Sequence, residues 1–221
     1  MGLVLLKMLP FALGSIAPTM IGLVVIFLTD TRGIAKSCAF ILGKYLFYVL
    51  WGLISLELVD QISSISLRGS NIVSETFFLI AGLLLLILAV RNFFGEDDSD
   101  APPPKFMTVL AKLGPVRLFG LGIAISIIQP RFILFVLAGT SIIAEARLRS
   151  SENFISLLVL ALLMVLPMLI PVVVFLVMGK HRTDAMKAMR TWLMSNQRMI
   201  NVVIMGIFGM LMLIVGLSGI Y

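Results

Sequence analysis

The sequence predicts an all-α integral membrane protein with six transmembrane helices, and two observations support this fold class. Apolar residues make up 60% of the 221 positions, charged residues make up 13%, and the mean hydropathy is +1.14. A soluble domain is nearer half apolar and a quarter charged, so this chain has too few polar residues to cover a water-facing surface. In addition, its apolar stretches are about 20 residues long or longer, as a hydrocarbon core of about 30 Å requires.

Six such stretches follow one another along the chain. They cover residues 3–28, 34–59, 72–94, 118–144, 154–178 and 199–220. The first also begins like a cleavable signal peptide, with Lys7, an apolar run and small residues at 14–17. We favour an uncleaved span, because the apolar run continues without a change of character to residue 28.

A polar linker divides the spans into two groups of three. Residues 95–105 (GEDDSDAPPPK) combine four acidic residues with three prolines, a composition that disfavours regular helix. We therefore expect a first three-helix repeat at 1–94, a cytoplasmic linker at 95–117 and a second three-helix repeat at 118–221. A docking site for a partner is the alternative interpretation of the linker.

The two halves resemble each other weakly, and both begin with an interrupted helix. The run LGSIAP at 13–18 corresponds to LG at 121–122 followed by SIIQP at 126–130. Since each half has three spans, the second copy enters from the opposite face, which gives an inverted repeat of the kind common in secondary transporters. The predicted broken-helix hinges are Gly14, Pro18, Gly122, Pro130, Pro167 and Pro171.

Loop charges predict the orientation. Lys and Arg concentrate on the cytoplasmic side of membrane proteins. The loops after spans one, three and five hold eleven such residues, against four on the opposite side, so both termini are expected on the non-cytoplasmic side. The net charge of +6 is then a topology signal, and no nucleic-acid partner is expected.

Residues 180–198 form a basic segment with its own pattern. Ala185, Met189 and Trp192 recur at helical spacing, while Lys187 and Arg190 take other faces. This pattern indicates a short amphipathic helix on the cytoplasmic interface, where basic residues meet anionic headgroups. A solvated basic loop that fixes the orientation is the alternative.

Two cations, Lys44 and Arg131, lie near the middle of predicted spans. Each costs roughly 2.5–3.5 kcal/mol at that depth, and such residues usually face a bundle interior or a wet cavity. Acidic residues are found only towards the span ends. The two cations therefore favour an anionic ligand with a carboxylate, sulfate or phosphate group. The alternatives are a structural pairing with backbone carbonyls and a permanently bound lipid phosphate.

Neutral polar residues at similar depth complete the predicted midplane site. Ser15, Thr19, Ser126 and Gln129 are candidates for hydrogen bonds to the same ligand. Asp30 and Glu57, at span ends, are candidates for proton coupling.

No catalytic or metal-ligating arrangement is expected. The single Cys38 excludes an internal disulfide, and the single His181 lies in a basic loop away from any intramembrane serine. Neither an enzyme nor a bound cofactor is predicted.

Three short motifs in this architecture resemble the lysine exporter (LysE) superfamily, most closely its lipid-addressing branch (the GAP-type, sulfolipid- and peptidoglycolipid-addressing proteins). They are LGSIAP at 13–18, LGK at 42–44 and QPRFIL at 129–134. The last resembles a variant of the Asn-Pro-Lys-Asn-type pattern of that superfamily, in which Gln129 and Arg131 replace the asparagine and the lysine. The resemblance implies a multi-pass exporter of the bacterial inner membrane that moves glycolipids towards the cell surface.

The sequence thus predicts a secondary transporter that moves an anionic or glycolipid-type substrate by alternating access around a midplane site. The expected partners are membrane lipids and this substrate, and a homodimer is left open. Two alternatives are a small-solute exporter of the amino-acid type and a non-transporting accessory subunit of a lipid-export system.

Overall fold

The computed structural model describes residues 8, 14–65, 70–95, 110, 113–146, 148–179 and 182–218. Within these ranges the chain forms helices and no strands. We number the helices in chain order: α1 Pro18–Leu28, α2 Gly33–Ile65, α3 Ser70–Phe94, α4 Pro115–Ile128, α5 Pro130–Glu145, α6 Ser150–Val177 and α7 Arg182–Ser218. The predicted all-helical class is confirmed.

Three of the described helices are long and apolar enough to cross a membrane. They are Gly33–Leu58 within α2, Ser150–Val177, and Arg182–Leu217 within α7. Helices α4 and α5 qualify together as a fourth span, bent by 80° at the break between them. Helix α1 and residues Phe78–Phe94 of α3 are apolar but shorter. A membrane protein is therefore supported, while six spans in two inverted repeats stay a prediction.

The two interrupted helices restart in the same way. Both α1 and α5 begin with a proline, preceded by an extended residue: Ala17 (φ −126°, ψ 105°) and Gln129 (φ −97°, ψ 97°). Proline suits the first helical position because its missing N–H would have no partner there in any case. By contrast, α6 runs without interruption through Pro167 and Pro171, so these two prolines do not divide a helix.

Helix α7 joins two elements that the sequence pattern separates. The basic segment and the last span form one helix of 37 residues, which is about 55 Å long and exceeds the hydrocarbon core. Its first half packs inward through Met186 and Leu193. Arg198 donates hydrogen bonds to the carbonyls of Asn92 and Phe93, and so caps the C-terminus of α3, where helical carbonyls lack partners.

Glycines allow the closest helix contacts in the bundle. Where α3 meets α7, a Cβ added to Gly82 would lie 2.8 Å from the carbonyl oxygen of Gly209. Where α2 meets α4, a Cβ on Gly43 would overlap the Phe119 carbonyl, and one on Gly122 would overlap the Phe40 carbonyl. Small residues let backbones approach this closely in membrane bundles. The α2–α4 contact also brings Lys44 close to Ser126.

Candidate functional site

Lys44 lies at the contact between α2 and α4 and is fully buried. Its Nζ donates a hydrogen bond to the Ser126 hydroxyl at 3.1 Å. The Ser126 hydroxyl donates in turn to the Gly122 carbonyl one turn earlier in α4, at 2.8 Å. Because Gly43 and Gly122 bring the two backbones into contact here, the lysine reaches the last turn of α4 just before its break.

Two aromatic rings face the same ammonium. Lys44 Nζ lies 4.2 Å from the ring centroid of Phe132 and 5.4 Å from that of Tyr48. Both rings are buried, and their centroids are 6.0 Å apart. A cation within about 6 Å of a ring face gains about 2 kcal/mol when desolvated. The Ser126 hydroxyl and the two ring faces therefore orient the ammonium within the bundle.

Phe132 and Tyr48 were not assigned to the site from the sequence. Tyr48 is four residues after Lys44 on the same helix, a spacing at which helical side chains are neighbours, so a signal for it was present. Phe132 follows the break before α5, and the path of the chain through that break determines where its ring lies.

Ser15 lies at the other interrupted helix, in the first half of the chain. It is buried in the break before α1, and its hydroxyl donates to the Met164 carbonyl of α6 at 3.3 Å. Ser15 and Ser126 thus each lie at an interrupted helix and each contact a long helix of the other half of the chain. The structure places Ser15 against α6 and Ser126 against Lys44, so the two serines serve different contacts.

Gln129 forms the break between α4 and α5. Its backbone carbonyl accepts the Phe132 N–H at 3.1 Å. Its side-chain Oε1 is buried and has no hydrogen-bond partner among the described residues, as expected of a group available to a ligand. The side chains of Pro130 and Arg131 lie outside the described residues, so the predicted second cation stays a prediction.

Thr19 lies in a different environment from Lys44. It lines a groove between α1 and the first half of α7, and the other lining residues are Pro18, Gly22, Ile26, Arg190, Leu193, Met194 and Gln197. Its predicted role as a ligand at the midplane gains no support from this placement.

The two candidate coupling carboxylates also lie away from the lysine. Asp30, in the turn between α1 and α2, forms an ion pair with Lys36 and accepts the Thr31 N–H at 2.6 Å. The hydrogen bond from Lys36 and that from Thr31 lower the pKa of Asp30, which keeps it ionised at neutral pH. Glu57 is exposed on α2. Among the described residues, no His, Cys, Asp and Glu side chains cluster as a metal site would require.

The comparison with protein families gives one finding for nearly the whole chain. Residues 8–218 match the family model described as Sap, sulfolipid-1-addressing protein. Neither the curated proteins nor the solved structures contain a match to this chain.

Proposed function

The chain belongs to the sulfolipid-1-addressing protein family, and from this premise we propose that it is a non-enzymatic membrane protein that helps to deliver an anionic lipid. The headgroup would be a sulfate or a similar anion, held at Lys44. We further propose the bacterial inner membrane as its location, with both termini on the non-cytoplasmic side.

The buried ammonium of Lys44 carries this proposal. Helix α2 holds it at 0% exposure, beside Ser126 and the Phe132 ring. Taking a charge out of water is costly, and a negatively charged group beside it offsets part of that cost. A cation at this position is complementary to a negatively charged headgroup, and this complementarity supports the proposal.

The proposed mechanism is alternating access. Ser15 lies in the helix break at residues 15–17, and Ser126 lies three residues before the break at Gln129. Each of these serines contacts the other half of the chain. Two halves that rock about these breaks would open the lysine to one side and then to the other, as inverted-repeat transporters do. Membership of the LysE superfamily belongs to this part of the proposal.

The first experiment replaces Lys44 by methionine, which keeps the volume and removes the charge. The protein is reconstituted in phosphatidylcholine vesicles with a fluorescent sulfated glycolipid, and movement of the probe between leaflets is followed by quenching from outside. We expect Lys44→Met to slow movement at least tenfold, equivalent to about 1.4 kcal/mol, without lowering the unfolding temperature. Lys187→Met, which removes an exposed lysine of α7, is the matched control and should transport normally.

If Lys44→Met moves the probe as fast as the wild type, the lysine does not hold the substrate. If the variant instead unfolds at a much lower temperature, the lysine has a structural role and the proposal fails.

An accessory role is the second candidate, and the length of α7 favours it. This helix is longer than a span needs, and it exposes Lys187 and Trp192 in its first half, where a partner could dock. This role predicts the reverse pattern: Lys187→Met combined with Trp192→Ala would abolish lipid delivery in cells, and Lys44→Met would leave it intact. The ion pair of Asp30 gives no support to proton-driven export of a small solute.

A further inference from the structure

Three buried polar atoms belong to residues of α2 and α6 that are near in sequence to a contact between these two helices. They are Trp51 Nε1, Asn153 Oδ1 and Ser156 Oγ, and none has a hydrogen-bond partner within the described part of the chain. A Cβ on Gly52 would overlap the Leu157 side chain, so the two helices touch here. Trp51 and Ser156 are the chain neighbours of this contact, and Asn153 lies one turn before Leu157.

Ser156 differs from the other buried helical hydroxyls. Those of Ser55, Ser126, Thr140 and Ser141 each donate to a carbonyl one turn earlier in their own helix, and that of Ser37 donates to the Val24 carbonyl of α1. Ser156 is equally buried, at 0% exposure, but makes no such bond with the described residues. Buried polar groups in native proteins nearly always have partners, so its hydroxyl is available to a group that occupies the site.

The three atoms are complementary to a hydroxyl group. The Trp51 N–H only donates, the Asn153 oxygen only accepts, and the Ser156 hydroxyl does both. None of them carries a charge. Phe47 stacks on Trp51 with the rings 6.4 Å apart and 3° from parallel, which holds the indole in place.

The distance from Lys44 suits a single ligand with two parts. Trp51 follows Lys44 by seven residues on α2, which corresponds to about 10 Å along the helix axis. We propose that Trp51, Asn153 and Ser156 form a second, uncharged site that binds hydroxyl groups of the ligand whose anionic group lies at Lys44. This inference rests on the proposed function for the identity of the ligand, but the site can be tested separately.

The test uses two probes, each of which carries one part of the proposed ligand. Octyl glucoside carries hydroxyls without charge, and octyl sulfate carries charge without hydroxyls. Both are titrated below their micelle-forming concentrations into the full chain in lipid nanodiscs, and binding is measured by calorimetry. The chain has two tryptophans, Trp51 and Trp192. In a Trp192→Phe background only Trp51 remains, so tryptophan fluorescence reports directly on the site.

We expect saturable binding of octyl glucoside with a shift in Trp51 emission. Ser156→Ala and Asn153→Ala should each weaken it about tenfold, as the loss of one hydrogen bond implies. Lys44→Met should leave it unchanged, and Ser55→Ala is the matched control, because its hydroxyl already donates within α2. Undiminished octyl sulfate binding shows that the Ser156 and Asn153 variants are folded.

Two results overturn the inference: no saturable octyl glucoside binding, or equal binding by wild type and both variants, which would mean that only ordered water occupies the site. Failure of the proposed function looks different. In that case octyl sulfate binding would not depend on Lys44, while octyl glucoside binding would still depend on Ser156.

Discussion

Two helix crossings in this protein use the same packing device for different purposes. At α3–α7, Gly82 and Gly209 face each other, and Leu86 and Leu213 pack around them. At α2–α4, Gly43 and Gly122 also bring backbones into contact, but the adjacent side chains are Lys44 and Ser126. The first crossing holds the bundle together, and the second also encloses a charge. The comparison shows that close backbone contact is compatible with a polar site where one of the two helices ends. Helix α4 ends at the break at Gln129, and the chain after this break places the Phe132 ring next to the Lys44 ammonium.

The largest expected effect comes from adding a methyl group at each crossing. A Cβ on Gly43 would overlap a backbone carbonyl, which cannot rotate away, so Gly43→Ala should separate α2 from α4 and abolish lipid movement. At Gly82 the nearest atom is also a backbone carbonyl oxygen, that of Gly209, but it lies 2.8 Å away and the overlap is smaller than at Gly43. Gly82→Ala should therefore lower stability by roughly 1–3 kcal/mol, the usual cost of overpacking, and leave activity measurable. Thermal unfolding and vesicle transport of both variants check this, and equal activity of the two would contradict the distinction.

Removing the ring above the ammonium should have the next largest effect. Phe132→Leu keeps an apolar side chain but loses the ring 4.2 Å from Lys44 Nζ, so transport should slow about 5- to 30-fold, equivalent to about 1–2 kcal/mol. Phe135→Leu is the matched control, since this ring on the same helix packs against Phe208. It should lose stability without a specific loss of transport. Similar transport rates for the two variants would show that the Phe132 ring does not act through the lysine.

A smaller effect is expected at the other crossing, from the cap of α3. Arg198→Met removes hydrogen bonds to the carbonyls of Asn92 and Phe93 and should destabilise the protein by about 1–2 kcal/mol. Transport per folded molecule should not change, because Arg198 acts at the α3–α7 crossing, whereas Lys44 lies at the α2–α4 crossing. Denaturant unfolding checks the first expectation. A loss of transport at unchanged stability would link α7 to function instead.

The smallest effect is a pH dependence at the turn between α1 and α2. Lys36 and Thr31 lower the pKa of Asp30 below its ordinary value of 3.8. A lowered folded-state pKa contributes stability that is present above the unfolded-state value and is lost as the pH falls through the folded-state value. The difference in unfolding temperature between wild type and Asp30→Asn should therefore be constant near neutral pH and shrink below about 3.8. A constant difference down to pH 2 would show that the ion pair contributes nothing.

The fold class, two helix starts and the candidate site could be predicted from the sequence, because each depends on local chemistry. Apolar composition and stretch length determined the helical membrane class, because hydrocarbon leaves a spanning chain few alternatives to helices. The Ala17-Pro18 and Gln129-Pro130 pairs indicated where helices restart, since proline tolerates only the first turn. The charge of Lys44 marked the candidate site, because few residues are so costly at that depth.

Only the tertiary structure decided which groups meet. Ser126 rather than Thr19 contacts Lys44, because Gly43 and Gly122 set the crossing of α2 with α4, whereas Thr19 lies on the face of α1 that borders α7. Periodicity could not show that α7 is one continuous helix, because its amphipathic and apolar halves differ in pattern but not in backbone geometry. Contacts between distant residues depend on how helices pack, and the sequence pattern of one helix does not contain the position of the next.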